Sequence, residues 1–236
     1  MLSEKLSVFE EGQVLLFDKP MYWTSFDLVS KVRNILRKAT GVKKIKVGHA
    51  GTLDPLASGL MIICSGRATK KIDEFRDLDK EYVATIHLGD TTPSYDLETA
   101  TDMQYPTGHI TEALVKEVLN GFLGEQKQMP PMYSAKQIDG KRAYEYARKG
   151  IDKELTAVTV FFREIELISF GMPETKIRIV CSKGTYVRSF ARDFGKALKS
   201  GAYLSALERT AIGSFHVSSA YGLEKFQKYV EQMQQK

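Results

Sequence analysis

The chain has 236 residues, of which 43% are hydrophobic and 27% charged, and a formal net charge of +5. This is the composition of a globular chain of one to two domain lengths with a sizeable core. It excludes a membrane-spanning protein, because the apolar run Leu60–Cys64 is far short of a span, and a zinc or disulfide framework, because Cys64 and Cys181 stand alone. The two cysteines read as small buried hydrophobes in a reducing cytosol, and no apolar block near the N-terminus resembles a signal peptide, so a soluble cytoplasmic protein is expected.

In chain order, Gln13–Phe17 reads as a short strand. Phe26–Arg37 has helical spacing, with Leu28, Val29, Val32, Ile35 and Leu36 on one side and Thr24 or Ser25 as N-cap. Between Leu28 and Leu53 lie seven basic residues (Lys31, Arg33, Arg37, Lys38, Lys43, Lys44, Lys46) and no acid. That local charge exceeds the net charge of the whole chain, the footprint expected of a phosphate-backbone binder, although a solvated lysine-rich face reads the same way. Leu60–Cys64 reads as a buried strand and Glu81–Leu88 as an alternating one. Ile110–Phe122 is amphipathic, Thr156–Phe170 and Lys176–Ser182 read as strands, and Thr185–Lys199 as a helix capped by Thr185 and closed by Gly201. The pattern is an α/β mixture without repeats or a dividing linker, so a single catalytic domain over 1–236 is expected. Loop insertions and a short C-terminal helix at about 222–235 complete it.

The segment from Gly48 to Gly59 (Gly-His-Ala-Gly-Thr-Leu-Asp-Pro-Leu-Ala-Ser-Gly) carries the most chemical information. Its three glycines and Pro55 argue against regular helix or strand and for a tight loop that presents one acid, Asp54, five residues after His49. A carboxylate acts as a nucleophile when it is ionised and held against its target, and a neighbouring cation favours that form. Arg188 is a candidate cation, because Ser182-Lys183-Gly184-Thr185-Tyr186-Val187-Arg188 ends a strand and opens a helix. A positive charge in a first helical turn opposes the helix dipole, which is understandable if an anion elsewhere compensates. Taken alone, Arg188 also reads as a surface arginine. Tyr82 shares a strand face with Ala84, Ile86 and Leu88 and reads either as a core aromatic or as a platform for a nucleobase. His49 fits an orienting or ligand-contacting role better than metal binding, since no second ligand lies at a suitable spacing.

These residues, Val47 to Gly59 above all, resemble the signature of the TruB-type tRNA pseudouridine synthases. Further matches follow in the family's order: Asp18-Lys19-Pro20 with Thr24-Ser25, Lys80-Glu81-Tyr82, Pro130-Pro131-Met132-Tyr133-Ser134-Ala135 leading to Gly140-Lys141-Arg142-Ala143-Tyr144, and Lys183-Gly184-Thr185-Tyr186-Val187-Arg188. The resemblance implies conversion of the T-loop uridine at position 55 of tRNA to pseudouridine, by base flipping and Asp nucleophilic catalysis, without metal or organic cofactor. It implies the pseudouridine synthase fold, an α+β architecture with a central mixed, largely antiparallel sheet flanked by helices and loops. Carried over by position, Asp54 is the nucleophile, Arg188 its partner and Tyr82 the residue that stacks on the target base. Tyr186 and Leu207 surround the flipped nucleotide, and His49 holds the everted T-loop. The implied partner is the T-arm of tRNA, bound by a monomer with no membrane involvement.

The chain departs from the family in two places. Tyr22 stands where the family usually has Gly in the turn after Lys-Pro, and the usual C-terminal RNA-binding module has no counterpart in residues 221–236. RNA grip is then expected from the catalytic domain alone, with a steep salt dependence. The basic, Pro/Gly-rich insertion at 129–153 is expected to order against the RNA backbone. Three rival readings remain at this level, of which the lowest ranked keeps the chemistry and changes the RNA to an rRNA or a guide-directed target. A glycosidic hydrolase would need a second carboxyl group, for which Asp18, Asp27 or Asp90 are candidates; an RNA chaperone would use only the basic surface.

Overall fold

The fold was obtained as a computed structural model, which describes residues 6–134, 136–138, 140–151, 153 and 155–235. Ala135 of the Pro130–Ala135 motif and residues 139 and 152 of the 129–153 insertion lie outside the described residues. In chain order the main elements are β1 (Val14–Lys19), α1 (Ser25–Thr40), β2 (Val47–His49), β3 (Ala57–Ser65), β4 (Lys80–Leu88), α2 (Glu112–Asn120), β5 (Gly124–Gln128), β6 (Val158–Ser169), β7 (Glu174–Cys181), α3 (Val187–Ala197), β8 (Ala202–Ile212), β9 (Phe215–His216) and α4 (Leu223–Gln235). Two compact units form, one from Met1–Glu81 with Glu208–Lys236 and the other from Tyr82–Leu207. The backbone passes from one to the other inside β4 and returns inside β8.

In the first unit β1, β3 and the end of β8 lie side by side, with β2 added to β3 and β9 to β8. β1 and β3 run antiparallel from Val14 opposite Cys64 to Lys19 opposite Gly59. β2 pairs antiparallel with β3, His49 opposite Ile63. α1 begins where the sequence predicts. Thr24 caps it in a reciprocal capping box with Asp27, and Gly41 closes it in the left-handed region at φ 72°. A cap of this type contributes about 1 kcal/mol. Leu28, Val29, Val32 and Leu36 form its buried stripe. α4 docks through Phe226, whose ring meets Phe17 edge-on at 4.9 Å and Phe9 at 6.2 Å.

In the second unit the strand order is β8, β4, β7, β6, β5. β6 and β7 form an antiparallel pair with Ile165 opposite Ile179, and β5 is antiparallel on β6. β4 alternates along its length, burying Tyr82, Ala84, Ile86 and Leu88 on one face. The core on which α3 packs is aromatic: Phe190 meets Phe122 at 5.0 Å, Phe162 at 5.3 Å and Phe194 at 5.9 Å. Among the described residues no helix is long and apolar enough to cross a membrane.

Three local expectations are corrected. Thr185 does not cap α3, which starts at Val187 after Tyr186 with no side-chain cap; the Thr185 hydroxyl instead donates to Ser182 O at 2.9 Å and closes the preceding turn. The left-handed residue that ends α3 is Lys199 (φ 53°) and not Gly201. Gly201 is small for another reason: a Cβ there would meet the Tyr105 ring at 2.5 Å. The Gly48–Gly59 segment is loop only in its middle, since β2 reaches His49 and β3 begins at Ala57. Its outer glycines serve close approach within strands. A Cβ on Gly48 would meet Ile72 Cδ1 at 2.8 Å, and one on Gly59 (φ 108°) would meet Arg209 O at 2.4 Å.

Candidate active site

Asp54 sits at the apex of the Ala50–Leu56 loop, half-buried between exposed Thr52 and Pro55. Backbone and side-chain bonds fix the loop on every side. Ser25, the first residue of α1, accepts from Leu53 N at 2.8 Å and donates to Leu53 O at 3.0 Å, so one buried hydroxyl clamps the residue before the acid. Ala57 N donates to Asp54 O at 3.1 Å, and Tyr22 N to Pro55 O at 2.7 Å. Arg209, 1% exposed, donates from Nε to Leu60 O at 2.7 Å, from Nη1 to Thr52 O at 3.2 Å and from Nη2 to Gly51 O at 3.3 Å. The two limbs of the loop therefore converge on one guanidinium. An acid held this way is positioned in advance, which is what a nucleophile requires.

His49 lies in β2, where its Nδ1 accepts from Gly51 N at 3.3 Å. Burial pushes its imidazole below the usual range, aided by the nearby Arg209 charge. Lys19, at the end of β1, is fully buried. Its ammonium donates to Pro20 O at 3.0 Å and Trp23 O at 2.7 Å. Burial pushes it down to about 8, with the Asp54 charge the largest opposing influence, so Lys19 is a buried cation within electrostatic reach of Asp54.

The depressed pKa of Lys19 couples stability and rate to pH in opposite directions. Below about pH 8 Lys19 is charged in both folded and unfolded chains, and burial of its charge is borne in full. Between about 8 and its ordinary 10.5 the folded form sheds the proton while the unfolded form keeps it, so this residue's contribution to stability rises with pH. Single-turnover rates are expected to fall through the same window as the Lys19 charge disappears, without a fall in melting temperature caused by this group. A pH-rate profile flat from 7 to 10 would contradict that role.

The other candidate residues belong to the second unit. Tyr82 is 9% exposed and shares the buried face of β4, in agreement with its alternation. Tyr186 and Leu207 are half-buried, the first before α3 and the second in β8. Arg188 is in the first turn of α3, as expected, but is 6% exposed and not a surface residue. Its Nε lies 3.5 Å from Asp96 Oδ2 and its Nη1 donates to Tyr133 O at 2.9 Å. Asp96 is in turn fixed by Glu98 N, which donates to Oδ1 at 2.9 Å. Residues at the start of α3 hold the two residues before Pro130: Tyr186 N donates to Gln128 Oε1 at 2.8 Å and Ser189 Oγ to Met129 O at 2.7 Å.

Six of the seven residues of the basic run, Lys31, Arg37, Lys38, Lys43, Lys44 and Lys46, are exposed, whereas Arg33 is half-buried and donates to Val47 O at 2.9 Å. A cleft of about 380 Å³ is lined by Lys31, Asn34, Arg37, Lys38, Gly41 and Lys43. It follows the C-terminal half of α1, the opposite end from Ser25 and the Asp54 loop.

Residues 37–187 match the family model for the TruB family pseudouridylate synthase (N terminal domain). The chain belongs to the TruB family. It is 56% identical over 226 residues to tRNA pseudouridine synthase B of Phocaeicola vulgatus, covering 96% of each chain. It is 50% identical to tRNA pseudouridine synthase B of Flavobacterium johnsoniae, covering 94% of this chain and 97% of that one. Among solved structures it is similar to a chain of a Cbf5-Nop10-Gar1 complex, with a TM-score of 0.71 and 27% identity, over 95% of this chain and 56% of the other. The chain thus spans about half the length of that solved chain. A chain of an H/ACA RNP bound to a substrate RNA containing 2'-deoxyuridine gives a TM-score of 0.67 at 26% identity. The α+β architecture with its mixed, largely antiparallel sheet is the pseudouridine synthase fold, and as a TruB member the protein is an isomerase.

Sequence reasoning missed Lys19 as a buried cation and Arg209 as the clamp on the loop in the first unit, and Asp96 as a carboxylate beside Arg188 in the second.

Proposed function

We propose that the protein converts the T-loop uridine at position 55 of tRNA to pseudouridine, with Asp54 as nucleophile. The observation that carries this reading is a single carboxylate on a loop fixed from Ser25, Tyr22 and Arg209, with solvent-exposed neighbours. The reaction rearranges one nucleotide. The C1′–N1 bond breaks, the uracil turns within its pocket, a C1′–C5 bond forms, and the C5 proton leaves while N1 takes one up. Asp54 adds covalently at C6 of the base or at C1′ of the sugar and is released at the end. Extruding the nucleotide from the folded RNA costs a few kcal/mol; stacking on Tyr82, worth about 1–3 kcal/mol, and phosphate contacts along α1 offset that cost. Tyr186 and Leu207 enclose the flipped nucleotide, His49 supports the everted loop, and Arg188 is the guanidinium partner of the catalytic carboxylate.

Relatives named tRNA pseudouridine synthase B and a structural neighbour bound to substrate RNA support the RNA assignment. Hydrolysis of the glycosidic bond is less favoured because two of the spare carboxylates have other tasks: Asp27 holds the α1 capping box and Asp90 pairs with His87 at 2.9 Å. We place the reaction in the cytoplasm, carried out by a monomer.

Mapping pseudouridine in unmodified tRNA before and after incubation tests the assignment, which predicts a new pseudouridine at position 55. Arg188→Lys, which keeps the charge and loses the planar fork, is expected to lower turnover about 100-fold with tRNA affinity changed less than threefold. Equal losses in both quantities would make Arg188 a binding residue.

A further inference from the structure

Tyr22 and Phe26 are the most solvent-exposed large hydrophobic side chains among the described residues, 76% and 69% accessible, and Met21 beside them is 39% accessible. All three lie within six residues, on the turn before α1 and its first turn. The turn itself is rigid. Lys19 Nζ holds Pro20 O and Trp23 O, and Tyr22 N donates to Pro55 O at 2.7 Å. The Tyr22 backbone is therefore one hydrogen bond from the residue that follows Asp54. Tyr22 also adopts φ 67°, the left-handed conformation that glycine takes freely and a bulky aromatic seldom does. Among the described residues neither ring makes a ring–ring or cation–π contact. The fold needs the turn and makes no such use of the rings; a strained, solvated aromatic next to the reacting group points to a ligand.

The surroundings say which ligand. α1 continues from Phe26 into exposed Lys31, Arg37 and Lys38, and the one acid near its start, Asp27, is occupied by the Thr24 cap. Exposed aromatics leading into a basic helix face combine stacking with phosphate attraction, the pairing that unpaired nucleic acid requires. We propose that Tyr22 and Phe26 form a stacking platform for unpaired bases of the RNA that flank the nucleotide attacked by Asp54. This rests on the RNA reading above and adds a binding site to it.

The test uses the Asp54→Asn protein, so that binding is read without turnover, and fluorescence anisotropy with a T-arm hairpin. Tyr22→Gly relieves the left-handed strain, so a melting temperature at or above the parent's separates lost affinity from lost fold. Tyr22→Gly and Phe26→Ala are each expected to weaken RNA binding by about 5- to 150-fold. Tyr22→Phe should regain most of what Tyr22→Gly loses, and 2-aminopurine at the contacted loop position should be quenched by the parent and not by Tyr22→Gly. Affinities within twofold of the parent for both variants overturn the platform while leaving the RNA reading intact. If sedimentation shows that Tyr22→Gly changes self-association and leaves RNA affinity alone, the patch is a contact between copies of the chain and the platform is wrong. A parent that binds no T-arm RNA overturns the RNA reading and the platform with it.

Discussion

Asp54→Asn is expected to lower pseudouridine formation by about 10⁴-fold or more while tRNA binding stays within about twofold. The amide is nearly isosteric with the carboxylate, and the Ser25 hydroxyl, the Arg209 guanidinium and Ala57 N all hold the loop through its backbone atoms. The loop should keep its shape and lose its nucleophile. The exposed basic residues Lys31, Arg37 and Lys38 lie further along α1, so affinity is expected to have an independent source. Single-turnover kinetics with a parallel binding measurement check this. A variant that retains a tenth of the parent rate would show that the carboxylate positions substrate and does not react; loss of both rate and affinity would place Asp54 in the binding surface.

Arg209→Met is expected to have the second largest effect, and on two quantities together. Methionine occupies much of the arginine's volume but donates nothing to Gly51 O, Thr52 O or Leu60 O. Leaving buried carbonyls without a donor costs about 1–3 kcal/mol each, and partial rehydration of the loop reduces the sum to about 3 kcal/mol. For a chain of this size that lowers the melting temperature by about 6–12 °C. The folded variant should also turn over about 100-fold more slowly, because a displacement of about 1 Å at the nucleophile costs that much. Arg209→Lys keeps the charge and reaches fewer of the carbonyls, so it should fall between the two. Gly59, packed with no room for a Cβ against the backbone of Arg209, keeps part of the contact in both variants. A folded Arg209→Met protein with the parent's rate per molecule would reduce Arg209 to a purely structural residue.

The parts of this protein that were legible in its sequence are those encoded locally. α1 could be read from Thr24 and the stripe Leu28, Val29, Val32, Leu36, because caps and stripes are set by residues a turn or less apart. The Asp54 loop could be read because its glycines and proline act on their own backbone. Arg188 was legible as a cation in a first helical turn, but its burial against Tyr133 O and Asp96 was not, since both partners lie far away in the chain. Arg209 was invisible for the same reason in stronger form. It is a lone arginine in a strand, and its partners are backbone carbonyls about 150 residues earlier, which carry no side-chain signature. Thr185 misled because a hydroxyl before a helix closes a turn backwards as readily as it caps forwards. The division into two compact units left no mark in composition, because the chain changes unit inside β4 and β8 and not at a linker.

The central claim is that one aspartate rearranges a single uridine within the tRNA T-arm. Its most direct test is tritium release from T-arm RNA labelled at C5 of the uridine at position 55. Release is expected in step with pseudouridine appearing at that position, with none from the Asp54→Asn protein and no free uracil. Label that stays on RNA the protein demonstrably binds, or free uracil accumulating in place of pseudouridine, would contradict it.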